Sequence, residues 1–371
     1  MRIFLTFNAS AASNTDSTWK YILHDTLVKL GHDVIFLNYK ELINALPTKL
    51  KSIDKISEKI YDHFLDHHKR KPFDLFFSYY HIGEVNVDLF SNINKHTFSV
   101  NYTTNFHQIS MYKPLLKAAS LCIYCSKDAE KYFRENARTS YYMPFAGLSS
   151  NLNFQKLKND KIAFIGTAYG HRPYYLLRCL QQDIPIDIYG SGWFNNHRLR
   201  SFLRTLKFQY QLSTNSKDCI DTSYRCLNDV LLKEIVEVYP NSINEFLSDQ
   251  EYTSLLQKSS IILNLPESRF NHDYSNPNVL IGANLRDFEV PTAGSLLLTQ
   301  ANDEIKSMFE NDKEIITFEN EWEMIDKARF YINKPYSATK IAEAGNARVK
   351  KDHLWEHRFT MFFKYLKENH F

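Results

Sequence analysis

The stretch Asn284-Leu285-Arg286-Asp287-Phe288-Glu289-Val290-Pro291-Thr292-Ala293-Gly294-Ser295 brings a cation, a carboxylate and a glycine together at spacings that suit ligand binding. Arg286 and Glu289 are three residues apart, so on a helix they share a face. Gly294 lets backbone approach a neighbour where a side chain would not fit. The apolar run Leu296-Leu297-Leu298 follows and reads as a short buried strand. A charged segment running into small residues and then a strand suits a helix N-terminus or tight turn lying against a ligand. The plainer alternative is a solvated helix pair and a glycine that only ends a helix.

The elements that would carry this stretch recur along the chain. Met1 to Phe7 is an apolar strand, Asn8 to Thr18 a polar loop, Trp19 to Leu30 a helix and Asp33 to Asn38 the next strand. That order opens a parallel α/β sheet, whose ligands sit in loops at the carboxyl ends of the strands. No G-x-G-x-x-G is present, so a dinucleotide fingerprint is not supported. Phe73 to Ser78 delivers Tyr79-Tyr80-His81-Ile82-Gly83-Glu84 to a strand's carboxyl end, and strands at Thr97 to Asn101 and Leu121 to Ser126 follow. Residues 148–160, rich in Asn, Ser and Lys, read as a linker. Lys161-Ile-Ala-Phe-Ile-Gly166-Thr167 restarts the pattern, with His171 and Arg172 ahead of a helix that begins at Pro173. Ile186 to Trp193 adds a strand and a turn containing Gly190. A helix at Glu251 to Lys258 and a strand at Ser260 to Leu265 lead into the loop Pro266-Glu267-Ser268-Arg269.

Composition narrows the function classes. At 371 residues, with 44% hydrophobic and 15% aromatic residues, the chain has material for two cores. A net charge of +3 is too small to argue for a nucleic-acid protein. No apolar run approaches a membrane span, and the polar loop after Phe7 breaks any signal-peptide pattern, so the expected location is cytoplasmic. Five scattered cysteines make no disulfide framework, and the Cys122-Ile-Tyr-Cys125 match sits in what reads as a buried strand. His63 and His67 have the spacing of a zinc pair but lack a third ligand, so no metal site is expected.

The ordered series from Arg286-x-Phe288-Glu289, through the helix Ile341-Ala-Glu-Ala-Gly345-Asn346-Ala-Arg348, to His353-x-x-x-His357-Arg358 resembles the C-terminal half of CgeB-like, spore-maturation-type glycosyltransferases. The resemblance implies the GT-B class: α/β, two Rossmann-like parallel-sheet domains facing a cleft. On that reading residues 1–148 form the acceptor-side domain and 160–350 the nucleotide-sugar domain, with an inserted segment at 193–248. Residues 351–371 are then a helix crossing back to the first domain. The resemblance also implies a nucleotide-sugar donor, no cofactor and no intrinsic metal.

A nucleotide-sugar offers a diphosphate and a ribose diol to be held. The diphosphate calls for cations and helix N-terminal N–H groups. The candidates are Arg172, Arg269 and Arg286, with backbone at Gly166, Thr167, Thr292, Ala293 and Gly294, and with Gly190 and Asn284 close by in sequence. One carboxylate can bind both ribose hydroxyls, and by resemblance Glu289-x4-Gly294 matches the Glu-x4-Gly spacing near the nucleotide in many GT-B enzymes. An earlier Glu common in retaining members is replaced by Ile281, so the stereochemical course is left open. For the acceptor's proton His81 leads, since histidine titrates near neutrality, with Glu84 beside it and Asp16 and His107 behind. The amphipathic basic helix at 197–212 suggests contact with an anionic membrane face or an acidic acceptor, although such helices more often pack on their own domain. The acceptor would be a glycan, a lipid-linked precursor or a protein. A sugar-nucleotide epimerase or hydrolase, or a non-catalytic binding protein, fits the same frame.

Overall fold

The computed structural model describes residues 1–9, 18–45, 47, 51–81, 83–104, 112–149, 161–193, 198–214, 219–245, 247–266 and 282–370, with side chains omitted for 198–202 and 219–224. The chain divides into two compact units, Met1–Ser149 with His353–Phe371, and Ser150–Asp352. Each is built on a parallel sheet of six strands.

In the first unit the sheet order is β2-β1-β3-β4-β5-β6, from β1 (Arg2–Phe7), β2 (Asp33–Asn38), β3 (Leu75–Tyr79), β4 (Phe98–Thr103), β5 (Leu121–Tyr124) and β6 (Ser140–Tyr142). The chain runs from β1 outward to β2, then returns to the other side of β1 for β3. The order therefore reverses between β1 and β3, and a switch point of this kind opens a crevice at the carboxyl ends of the strands. The His-bearing helix Ile53–Arg70 packs Ile56, Ile60 and Phe64 into the core, where Phe4 meets Phe64, Phe73 and Phe76. The C-terminal helix Trp355–Asn369 belongs to this unit. Its Phe359 and Phe362 lie edge-on to Phe77, Trp355 meets Trp19 and Tyr102, and Lys29 pairs with Glu356 at 2.7 Å.

The second unit repeats the plan with order β12-β11-β10-β7-β8-β9, from β7 (Ile162–Ile165), β8 (Ile186–Tyr189), β9 (Ile243–Asn244), β10 (Ile261–Asn264), β11 (Leu296–Gln300) and β12 (Ile316–Phe318). Its switch point lies between β7 and β10. Strands covered on both faces need continuous apolar runs, and Ile261-Ile262-Leu263 and Leu296-Leu297-Leu298 are buried throughout. The segment 193–248 is more than an insertion: it ends in β9, the sixth strand of the sheet, which at two residues is too short to show as an apolar pattern.

Helix Arg198–Ser213 turns apolar residues to the outside. Leu203, Leu206 and Tyr210 are 56%, 46% and 69% exposed. Arg204 instead faces the following helix, Cys219–Val238, and pairs with buried Asp229 at 2.7 Å. Leu232 and Ile235 of that second helix already fill the core, so the first helix attaches to it through a polar contact.

The candidate stretch forms the site helix, Arg286–Ala293, which is secured at both ends. At its start the fully buried Asp287 carboxylate accepts three hydrogen bonds. They come from the Asn284 amide (2.9 Å), the Asn264 side chain at the end of β10 (2.6 Å) and the Thr299 hydroxyl of β11 (2.8 Å). Asn284 answers by accepting from the Asp287 amide at 3.3 Å, a reciprocal cap of the kind that fixes a helix start. At the far end Asn346, from the helix Pro335–Asp352, donates to the Pro291 and Thr292 carbonyls at 2.8 and 2.7 Å.

Burial pushes the Asp287 carboxyl from 3.8 up to about 6, against the opposing pull of its three hydrogen bonds. The folded chain thus keeps this proton to higher pH than the unfolded chain. The stability that follows is fully present below about pH 4 and is lost as pH rises through about 6, a swing of about 3 kcal/mol at most. Wild type should therefore lose stability relative to Asp287→Asn between pH 4 and pH 7, read from denaturant midpoints of both proteins. A pH-independent difference would show that Asp287 titrates normally. Asn346→Ala should cost about 1–3 kcal/mol at any pH, because the buried Thr292 carbonyl loses its donor and the Pro291 carbonyl keeps only the Gly294 amide.

Candidate functional site

Two guanidinium groups reach the turn after β7 at the switch point of the second unit. Arg286, at the start of the site helix, places Nη2 3.4 Å from the Ile165 carbonyl. It donates through Nη1 to the Tyr252 hydroxyl and lies 4.9 Å over that residue's ring. Tyr252 in turn donates to Oε2 of Glu289 at 2.5 Å, and Arg286 stands 3.7 Å from the same oxygen. Burial raises the Tyr252 phenol well above its ordinary value, with Arg286 pulling the other way, so the hydroxyl remains a donor at neutral pH. The Glu289 side chain is still 14% exposed, and Oε1 has no hydrogen-bond partner among the described residues. A carboxylate fixed through one oxygen and open through the other can accept from a ligand's hydroxyls.

Arg172 has a structural job that its sequence position does not suggest. Its guanidinium is buried and donates to the Leu265 carbonyl through Nε and Nη2, at 3.2 and 2.9 Å, and to the Thr167 carbonyl at 3.1 Å. It also lies 4.1 Å over Tyr169. Arg172 therefore ties the turns after β7 and β10 together, a structural task beside the diphosphate role expected of it. Gly190 is a glycine because its backbone meets that of Gly166: a Cβ on it, at φ +129°, would lie 2.4 Å from the Gly166 carbonyl oxygen, whereas a Cβ on Gly166 would press on the Phe164 ring and the Arg172 guanidinium. The Trp193 indole donates to that oxygen at 2.8 Å, and Thr167 shares a 3.0 Å bond with Ser191.

Thr292, Ala293 and Gly294 lie at the carboxyl end of the site helix, buried, with Gly294 in the left-handed conformation that ends it. Carbonyls, not N–H groups, emerge at that end, so these three do not offer the anion site expected of them. Asn284 is engaged by Asp287 and Asn264 in the cap. Arg269, together with Asp16, His107 and Ile281, lies outside the described residues.

In the first unit His81 follows β3 at the switch point, and its Nδ1 lies 3.0 Å from the Tyr112 hydroxyl. Glu84 does not pair with the imidazole. Its carboxylate accepts from the His81 backbone amide at 2.7 Å and sits beside Tyr39, so it shapes the turn that carries His81. Cys122 and Cys125 are buried, and burial pushes the Cys122 thiol up. Among the described residues no group of three or more His, Cys, Asp or Glu side chains is arranged to hold a metal ion.

Sequence reasoning missed Tyr252, Asp287 and Asn264. Tyr252 reads as an ordinary helix residue, and Asn264 ends an apolar strand. Asp287 was in plain view, flanked by the two candidates. An acid three residues after an asparagine at a helix start was the available signal.

The model of the glycosyl transferase-like family matches residues 172–364, more than half of the chain. The chain belongs to that family and is a glycosyltransferase. No curated protein matches its sequence significantly. Its fold is GT-B, as seen in sucrose-phosphate synthase of Thermosynechococcus elongatus (TM-score 0.61, 11% identity, 99% of this chain and 98% of that one). Anabaena HepE, solved in complex with UDP-glucose, gives a TM-score of 0.59 at 10% identity over 99% of this chain and 100% of that one. A Listeria monocytogenes protein assigned as a UDP-N-acetylglucosamine 2-epimerase gives 0.53 at 10% identity over 99% and 95%.

Proposed function

We propose that this glycosyltransferase is of the CgeB-like type and binds its nucleotide-sugar at the switch point of the second unit, Glu289 taking the ribose diol and Arg286 the diphosphate. The Tyr252–Arg286–Glu289 cluster carries the reading: it combines a cation with a half-engaged carboxylate on the turn after β7, where open parallel sheets receive ligands. HepE's bound UDP-glucose supports a uridine nucleotide as the first donor to test. The GT-B frame also carries an epimerase, so the fold alone does not choose the reaction; family membership favours transfer.

In the transfer the acceptor hydroxyl displaces the nucleoside diphosphate at the anomeric carbon. The leaving diphosphate takes the bonding electrons and the hydroxyl gives up its proton. We assign that proton to His81, and the charge on the diphosphate to Arg286 rather than to a metal. The acceptor we favour is a glycan precursor at an anionic membrane surface. Helix Arg198–Ser213 supports this, with Leu203, Leu206 and Tyr210 turned outward and four basic but no acidic residues in its sequence.

Saturating UDP should raise the thermal midpoint by several degrees, since a hundredfold excess over Kd adds about 2.7 kcal/mol. Glu289→Ala should abolish most of that shift, and an equal shift in both proteins would remove Glu289 from the site. His81→Asn should lower turnover about 100-fold while leaving UDP binding unchanged, and turnover should survive a chelator. The protein should sediment with vesicles containing phosphatidylglycerol but not with pure phosphatidylcholine. Leu203→Ser combined with Tyr210→Ser should release it; unchanged sedimentation would rule this face out as the contact.

A further inference from the structure

Tyr252 lies on the helix Asp249–Lys258, whose first turn is fixed by a capping box. In that box the Ser248 hydroxyl accepts from the Glu251 amide and the Glu251 carboxylate accepts from the Ser248 amide. The other end of the helix is fixed by Ser295, whose hydroxyl donates to the carbonyls of Leu256 and Ser259. Because Ser295 follows Gly294 directly, the helix bearing Tyr252 and the helix bearing Glu289 are tied together below the site. The phenol is thus carried on a helix held at both ends, and it meets the Glu289 carboxylate from that fixed backbone.

We infer that Tyr252 is a positioning residue that sets donor specificity, holding the Glu289 carboxylate through Oε2 so that Oε1 faces the ribose and selects it over 2′-deoxyribose. The inference rests on the proposed ribose role of Glu289. Without the phenol, two forces act on the carboxylate. Arg286, 3.7 Å from Oε2, can draw it into a direct ion pair, and its own side-chain torsions are released. Either motion turns Oε1 away from a fixed diol. Meanwhile Arg286 loses its hydroxyl acceptor but keeps its place at the Ile165 carbonyl, so diphosphate contacts persist. The loss should therefore appear in recognition of the ribose alone.

The test compares UDP with 2′-deoxy-UDP by titration calorimetry on wild type, Tyr252→Phe and Glu289→Ala, with the GDP pair used in the same way if GDP is the tighter ligand. Wild type should prefer the ribonucleotide about tenfold or more, the scale of a hydrogen bond to a charged group. Tyr252→Phe, which keeps the ring under Arg286, should bring the ratio to about two, weakening UDP more than 2′-deoxy-UDP, which has only its 3′-hydroxyl to lose from Glu289. A parallel loss for both nucleotides would mean a merely structural tyrosine and overturn the inference, as would an unchanged ratio. If Glu289→Ala collapses the ratio and Tyr252→Phe does not, only the role of Tyr252 falls. A ratio indifferent to Glu289→Ala, or no nucleotide binding at all, overturns the ribose assignment and the inference with it. Thermal melts of all three proteins establish that each is folded.

Discussion

The carboxylate of Asp287 is the contact on which the second unit's site depends. It sits where β10 and β11 end and the site helix begins, and each of those elements donates to it. A buried charge is costly unless it is hydrogen-bonded, and the raised pKa records the residual cost. In return one group fixes the relative position of two strand ends and a helix start. Arg286 and Glu289 lie one residue before and two after it, so their backbone positions follow from that anchor. Asn346 completes the arrangement from the far end by donating to the Pro291 and Thr292 carbonyls at the helix terminus.

Parallel sheets impose the same condition on both units. A strand that returns to the opposite side of its predecessor leaves a gap between two diverging turns, and something must span it. In the second unit Arg172 does so, bonding to the turn after β7 and the turn after β10 at once. In the first unit the buried polar groups beside the switch point serve the same purpose. Tyr80 reaches from the end of β3 to Thr6 of β1, and Asn101 of β4 accepts from both Ser78 and the Tyr80 amide. An arginine in such a position has a structural task whatever its sequence context suggests. Its planar fork of donors can satisfy several carbonyls at once, a capacity lysine lacks.

This explains which parts of the architecture were legible beforehand. Strand, loop and helix alternation is a local pattern, and nearly every strand of both sheets announces itself by an apolar run, β9 being too short to do so. The pairing of Arg286 with Glu289 was equally local, a matter of helical period. Tyr252 was invisible because its meeting with Glu289 joins residues 37 apart in sequence. The orientation of helix Arg198–Ser213 was left open for a related reason. Amphipathic spacing tells which residues share a face, but which face turns inward depends on the partner. Here the partner offers Asp229, and a cation answers it.

The glycine and arginine candidates separate once each is asked where its polar atoms point. Gly166, Thr167, Asn284 and Arg172 all direct polar atoms at neighbouring protein, where they hold turns in shape. Glu289 is different: its one engaged oxygen is held from the side by Tyr252, and the other has no partner among the described residues. A group arranged only for stability would be satisfied on both oxygens or withdrawn to solvent. A carboxylate half fixed, beside a cation and at the reversal of a parallel sheet, fits the role proposed for it as an acceptor of a ligand's hydroxyls. The GT-B frame is common to transferases and an epimerase, so chemistry in this molecule has to be argued from such half-engaged groups rather than from the frame that carries them.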